Sequence, residues 1–226
     1  MPTLARGKLI TFEGLDGSGK STQLERLAVA LRAERLPVLV TREPGGTWTG
    51  EKIRQLLVDS AATALVPTAE LALMFASRAQ HLSEVIQPAL LQGKIVLCDR
   101  FTDSSEAYQG GGRKLGSDAV LRLHGILCED VQPDLTILMD SDVVRSVDRA
   151  RRRNRSRTVG TSDEGRFEKE SRAFFERVRN TYLAIARREP ERVVIIDARG
   201  SPEETHQQIL EAVRRRLKLK TADNGS

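Results

Sequence analysis

Residues 8–22 read Lys-Leu-Ile-Thr-Phe-Glu-Gly-Leu-Asp-Gly-Ser-Gly-Lys-Ser-Thr, and the order of these parts decides the fold. The apolar run at 8–12 reads as a buried strand. Gly14, Gly17 and Gly19 then permit a backbone that turns successive N–H groups inward as an anion nest. Leu24, Leu27, Ala28 and Leu31 follow at helical spacing, so the loop opens a helix N-terminus, where the backbone dipole favours negative charge. The pattern G-x-x-x-x-G-K-[ST] over 14–21 points to the phosphates of a nucleoside triphosphate, ATP, with Mg²⁺. On this reading Gly14, Leu15, Asp16, Gly17, Ser18, Gly19, Lys20, Ser21 and Thr22 wrap the phosphates. Lys20 neutralises the β/γ-phosphates and Ser21 holds the metal. A glycine turn that binds nothing is the bland alternative, and the strand and helix on either side argue against it.

Four more short apolar runs follow, at 38–40, 95–97, 135–139 and 193–196, separated by segments of helical period. Continuous apolar runs alternating with helices predict an α/β fold of the P-loop NTPase type. Its three layers, α/β/α, enclose a five-stranded parallel sheet. Each run ends in polar residues, and open α/β sheets place their sites at the carboxyl ends of strands. The spacing from 68 to 92 is compatible with one long helix interrupted late by Pro88, with further helices over 167–188 and 202–219. The expectation is one kinase-like domain over 1–226, a mobile lid at about 148–166, and a frayed tail from about 220.

Hydrophobic residues at 39% and charged residues at 30% describe a soluble globular chain. No stretch approaches the ~20 apolar residues of a membrane span, and nothing at the N-terminus reads as a signal peptide, so a cytoplasmic protein with no membrane partner is expected. Cys98 and Cys128 lie far apart without a metal-binding pattern, and Cys98 reads as a small buried thiol. The net charge is +5 from 36 basic and 31 acidic side chains. Six of the ten residues at 148–157 are arginine. Such a run is a nucleic-acid patch, a solvated helix face or a phosphate clamp, and the upstream phosphate loop favours the clamp.

Asp99-Arg100 ends the third run and places a carboxylate where a second ligand to Mg²⁺ belongs, beside Ser21. Thr41-Arg42-Glu43-Pro44-Gly45-Gly46-Thr47 sets a guanidinium before a rigid proline and two glycines, a build suited to a second anion or to an ordinary turn. Ser104, Ser105, Tyr108 and Gln109 with Gly110-Gly111-Gly112 form a polar cluster with one aromatic. Phe75 and Arg78 stand three apart on the long helix and can offer a ring and a donor to one flat ligand. Taken alone, Phe75 suits a core better than a ligand contact. Trp48, the single tryptophan, packs over the acceptor site or shields the neighbouring helix.

Three motifs in order, 12–22, 41–47 and Asp99-Arg100-Phe101 with Ala107-Tyr108-Gln109-Gly110, resemble those of the thymidylate kinases, and the resemblance runs from 9 to about 197. It implies transfer of the γ-phosphoryl of ATP to dTMP, giving dTDP, with Mg²⁺. In that family the acid at the position of Asp16 lies near the 3′-hydroxyl of the sugar. By the same resemblance Arg42 and Arg100 hold the acceptor phosphate, Phe75 stacks on thymine and Arg78 bonds its carbonyl edge. Ser104 or Ser105 with Gln109 completes the base pocket, and Tyr108 crowds the sugar 2′ position. A homodimer and no nucleic-acid partner are also implied.

Some members of that family carry a catalytic arginine in the phosphate loop and others in the lid. Leu15, Asp16, Gly17 and Ser18 include none, so the run Arg149, Arg151, Arg152, Arg153, Arg155 and Arg157 has to supply it, with Arg153 the first candidate and Arg149 the next. The stretch Thr158 to Gly165 is longer than the family pattern, and Gly165 replaces an acid before Arg166. The composition from Ser156 to Gly165 predicts disorder until nucleotide binds. A deoxynucleoside kinase or another nucleoside monophosphate kinase is the alternative acceptor class. A P-loop switch or nucleic-acid-binding ATPase is the alternative from outside the kinases.

Overall fold

Five strands pair in parallel in the order β2-β3-β1-β4-β5: β1 (Lys8–Glu13), β2 (Val38–Arg42), β3 (Ile95–Asp99), β4 (Leu135–Asp140) and β5 (Val193–Asp197). The computed structural model describes residues 6–59, 65–157 and 166–217, with the side chains of 155–157 left aside. Burial follows position in the sheet. The inner strands β1, β3 and β4 are buried almost throughout, whereas the edge strands leave Val40 and Ile195 exposed. The apolar runs thus read correctly as strands, while only the inner three are covered on both faces.

Alternation along β1 builds two cores. Ile10 and Phe12 meet Leu24, Leu27 and Leu31 of α1 (Lys20–Ala33), with Ile209 and Val213 of α9 (Pro202–Leu217). Leu9, with Val96 and Cys98 of β3, faces Leu71 and Phe75 of α3 (Pro67–His81). Each such buried side chain contributes about 1.5–3 kcal/mol. A third cluster joins Leu15 and Tyr108 to Phe174, Val178 and Tyr182 of α8 (Arg172–Arg188). Both cysteines are buried and free.

The predicted long helix is three joined pieces. After α3 the chain makes a π-helical turn, Leu82–Ile86, and continues as α4 (Gln87–Leu91). The Gln87 N–H reaches back to the Leu82 carbonyl. Pro88 has no N–H, and its ring would meet the carbonyl of the preceding turn, so the widened turn ahead of it keeps the rod continuous.

Beyond β3 come α5 (Thr102–Ser105), a π-helical run at Glu106–Gly112 and α6 (Ser117–Cys128). The triple glycine serves close packing on α8. A Cβ on Gly111 would stand 2.0 Å from Thr181 Oγ1, and one on Gly112 would stand 2.5 Å from the Phe174 ring. The arginine run rides on α7 (Val143–Arg157), and a short 3₁₀ turn, Phe167–Lys169, precedes α8. Ser171 caps α8 by accepting the Phe174 N–H. The expected helix over 167–188 therefore starts late. The polar stretch 158–165 and the tail from 218 lie outside the described residues, as does the expectation of disorder there.

Register delivers the site. Phe12 and Arg42 both pair with Asp99, Glu13 pairs with Leu138, and Asp140 with Asp197, so the polar strand ends stand in one row.

Candidate active site

Gly14, Gly17 and Gly19 have φ of 129°, 79° and 96°, a region that side-chain-bearing residues rarely adopt. Gly17 is also a contact point, since a Cβ there would lie 2.1 Å from the Ser146 carbonyl of α7. The arginine-bearing helix therefore rests directly on the loop. Lys20 Nζ donates to the carbonyls of Gly14 at 3.1 Å and Leu15 at 2.9 Å, inside the mouth of the loop. Burial lowers its pKa to about 8, helped by Arg100 and opposed by Asp16, Asp99 and Glu13.

Ser21 Oγ donates to Asp99 Oδ2 at 2.9 Å. The second oxygen, Asp99 Oδ1, and the hydroxyl of Ser18 are buried without a hydrogen-bond partner. Buried polar atoms are nearly always paired, so an orphaned carboxylate oxygen next to a serine fits a hard cation, and an orphaned hydroxyl in a glycine nest fits a phosphate. Ser21 and Asp99 thus suit Mg²⁺, and the loop suits the phosphates of ATP.

Arg100 is the junction of the two halves of the site. Its backbone has φ 75°, a strained value held by a hydrogen bond from its N–H to the Phe12 carbonyl at 3.0 Å. Its Nη2 donates to Asp16 Oδ1 at 2.7 Å and to Tyr108 Oη at 3.3 Å, and its Nη1 to Ser104 Oγ at 2.9 Å and Tyr182 Oη at 3.3 Å. Burial would raise Asp16, yet Arg100 and Lys20 outweigh it and hold that carboxyl well below the usual range. Glu13 lies beneath, fully buried, and burial with the nearby charge of Asp103 raises its carboxyl to about 7.

A cleft opens from this junction. Asp16, Arg54, Met74, Arg78, Arg100, Ser104, Ser105, Tyr108, Gln109, Arg153, Asn154, Phe167 and Glu168 are among the residues that line it. At its far end Arg78 is held on three sides. Its Nε donates to Glu43 Oε2 at 2.7 Å, and its Nη2 to the Phe101 carbonyl at 3.1 Å and Ser105 Oγ at 3.0 Å. Glu43 is steadied by His81 Nδ1 at 3.0 Å, whose Nε2 shares a 2.6 Å hydrogen bond with Thr41 Oγ1. Arg78 Nη1 is left buried and unpartnered. Gln109 Nε2 donates to Glu70 at 2.8 Å, and Glu70 also receives Arg113 and Arg166.

Several predicted residues stand elsewhere. Phe75 is fully buried beneath Arg78, its ring 4.8 Å from the guanidinium, and Met74 lines the cleft in its place. One residue of helix is about 100° of rotation, enough to exchange the roles of neighbours. Arg42 points to Glu51 at 3.1 Å on the surface, and Arg54, further along α2 (Trp48–Val58), lines the cleft. Trp48 is 78% exposed with Lys52 over its ring, so it neither covers the cleft nor shields a helix.

The arginine run divides by position along and around α7. Arg153 lines the cleft, and its charge helps depress Asp16. Arg149 reaches back to Ser146 Oγ at 3.5 Å and does not line the cleft. Arg151 ties α7 to the 3₁₀ turn by donating to the carbonyls of Glu168 and Glu170, and Asn154 adds a bond to the Glu168 carboxylate. Arg54, Met74 and Tyr182 carried no motif to announce them. Only their helical phase relative to the known site residues, once the helices are docked, reveals them.

A glycine nest on a helix N-terminus, a strand-end carboxylate beside the loop serine, and a second, cation-lined cleft define a P-loop phosphotransferase with separate donor and acceptor sites. The thymidylate kinase family model matches residues 12–209. A thymidylate kinase of Trichlorobacter lovleyi is 50% identical over 92% of this chain and 97% of its own, and one of Geobacter sulfurreducens is 49% identical over 88% and 92%. The crystal structure of thymidylate kinase from Ehrlichia chaffeensis superposes with a TM-score of 0.72 at 34% identity, covering 92% of this chain and 99% of that one. The chain belongs to the thymidylate kinase family.

Proposed function

We propose that this protein transfers the γ-phosphoryl group of ATP to dTMP, giving dTDP. The observation that carries this reading is the polarity of the cleft. Cations gather at the loop end, where Arg100, Lys20 and Arg153 all act on Asp16, and a buried guanidinium with one unpartnered nitrogen stands at the other. A nucleotide monophosphate spans such a cleft with its phosphate on Arg100 and a carbonyl of its base on Arg78 Nη1.

Each residue then has a task its chemistry allows. The loop and Lys20 hold the triphosphate, Asp16 meets the sugar hydroxyl, and the Tyr108 ring, wedged edge-on against Phe167, Phe174 and Tyr182, limits the room beside the sugar. Ser21 and Asp99 would hold Mg²⁺, which when bound neutralises charge on the β- and γ-oxygens. Arg153 enters from α7 toward the transferred group. Phosphoryl transfer asks little acid–base work of a protein, so positioned charge is the main contribution.

The test is an acceptor panel of thymidine, dTMP, dUMP, dCMP and dGMP with ATP. dTMP should react fastest by a large factor, and equal rates on thymidine and dTMP would overturn the phosphate-binding role. We further propose a homodimer, supported by Trp48 and Leu56 of α2 and Ile126 and Leu127 of α6, which leave apolar surface exposed on two helices that both pack on α3. Sedimentation of the purified chain tests it. A cytoplasmic setting is supported by the two buried free thiols. Among the described residues no helix is long and apolar enough to cross a membrane.

A further inference from the structure

Glu13, the last residue of β1, is a fully buried carboxylate with every bond directed at one structure. Its Oε1 accepts the Phe101 N–H at 2.7 Å, and its Oε2 accepts Ser104 Oγ at 2.5 Å and Tyr182 Oη at 3.0 Å. These two hydroxyls are the same ones that accept Arg100 Nη1. A hydroxyl that spends its proton on a carboxylate turns its lone pairs the other way. We propose that Glu13 is a positioning residue that polarises Ser104 and Tyr182 so that both act as acceptors for Arg100, holding its guanidinium toward the acceptor phosphate.

Stability does not account for this carboxylate. Burying an ion costs desolvation, and an apolar or neutral group of the same shape is often as stable or more so. What only an anion supplies here is acceptor capacity on both oxygens. A glutamine has the same shape but the opposite polarity on one side. If its oxygen takes the Phe101 N–H, its amide nitrogen faces Ser104 and Tyr182 as a donor, and the hydroxyls must reverse. Arg100 then meets O–H groups where it had lone pairs, and of its strong partners only Asp16 remains.

The surroundings make the device specific. Asp103 of α5 opposes the charge of Glu13, while Arg100 supports it. Lys20 of α1, Cys98 of β3, Tyr182 of α8 and Arg192 ahead of β5 also sense it. Among these, Arg100 alone reaches Glu13 through hydroxyls that the carboxylate itself orients.

The inference rests on the reading that Arg100 holds the phosphate of dTMP, and titration calorimetry with dTMP, thymidine and a non-hydrolysable ATP analogue, run at about pH 8.5 where the Glu13 carboxyl is ionised, separates the two. Glu13→Gln should weaken dTMP about tenfold or more, the scale of one charge-assisted hydrogen bond, and change thymidine and the ATP analogue less than about twofold. In the double variant with Arg100→Ala, Glu13→Gln should add less than about twofold, because the group it positions is gone. Full additivity, or equal losses on all three ligands, would overturn the proposal. If Arg100→Ala weakens dTMP and Glu13→Gln does not, the inference fails and the functional reading stands. If Arg100→Ala leaves dTMP binding unchanged, the functional reading itself fails. Should Glu13→Gln not fold, Tyr182→Phe removes one hydroxyl of the relay. It should weaken dTMP severalfold and spare thymidine, and unchanged dTMP binding would overturn the proposal.

Discussion

The donor half and the acceptor half of this site are built differently. Around the loop, Gly14 to Thr22 are consecutive, and much of their function is carried by backbone N–H groups and a fixed turn, so sequence spacing is already geometry. In the cleft many of the working side chains come from α2, α3, α5, the π-helical run at 106–112 and α7, and each of these depends on the rotation of its helix. The first half was readable residue by residue. In the second, Met74 stands where Phe75 was expected and Arg54 where Arg42 was, because a linear motif does not state helical phase.

The sharpest way to break this comparison is at Lys20. Lys20→Ala should lower kcat by about 10³-fold or more with the fold retained, since its charge is needed chiefly in the transition state. Steady-state rates with a melting curve check both. Next comes Phe75, whose assignment to the core makes Phe75→Ala cost about 3–5 kcal/mol in denaturant unfolding, whereas Met74→Ala should act on KM for dTMP. If Phe75→Ala left stability intact and raised KM alone, the cleft would be assigned wrongly. Arg153→Ala should reduce kcat by about 10²-fold with little change in dTMP affinity, and Arg149→Ala much less. Unchanged turnover would move that role along α7. Arg54→Ala should raise KM for dTMP by about tenfold, and Arg42→Ala by no more than about twofold, since an exposed ion pair such as that of Arg42 with Glu51 contributes little. The reverse order would restore the motif reading.

The smallest effect is in pH. The Glu13 carboxyl lies at about 7 in the fold against an ordinary 4.5. Between those values the folded chain keeps a proton that the unfolded chain has released, so this group's contribution to stability falls as pH rises across that window. Glu13→Gln should flatten the slope of melting temperature against pH there, and parallel curves would place the buried charge elsewhere.

Most of the fold was legible because each strand is one short apolar run and each helix carries its own period. What escaped notice has identifiable causes. Pro88 announced a break, but the π-helical turn before it absorbs the missing N–H, so the helix continues in a widened form. The triple glycine read as part of a polar cluster, and its packing reason, Thr181 and Phe174 of α8, lies some 60 to 70 residues away in sequence. In the arginine run the composition pointed to a clamp, yet Arg151 is spent on carbonyls of the 3₁₀ turn while Arg153 faces the cleft.

By itself, then, the sequence determined the strands and helices of a parallel α/β sheet and a phosphate loop with its lysine and serine. These follow from interactions between near neighbours in the chain. Tertiary structure decided which helical faces turn inward, and so selected Met74, Arg54 and Arg153, and set the Glu13 carboxylate under Arg100 through hydroxyls from α5 and α8. Such contacts join residues up to 169 positions apart, and only packing fixes their phase.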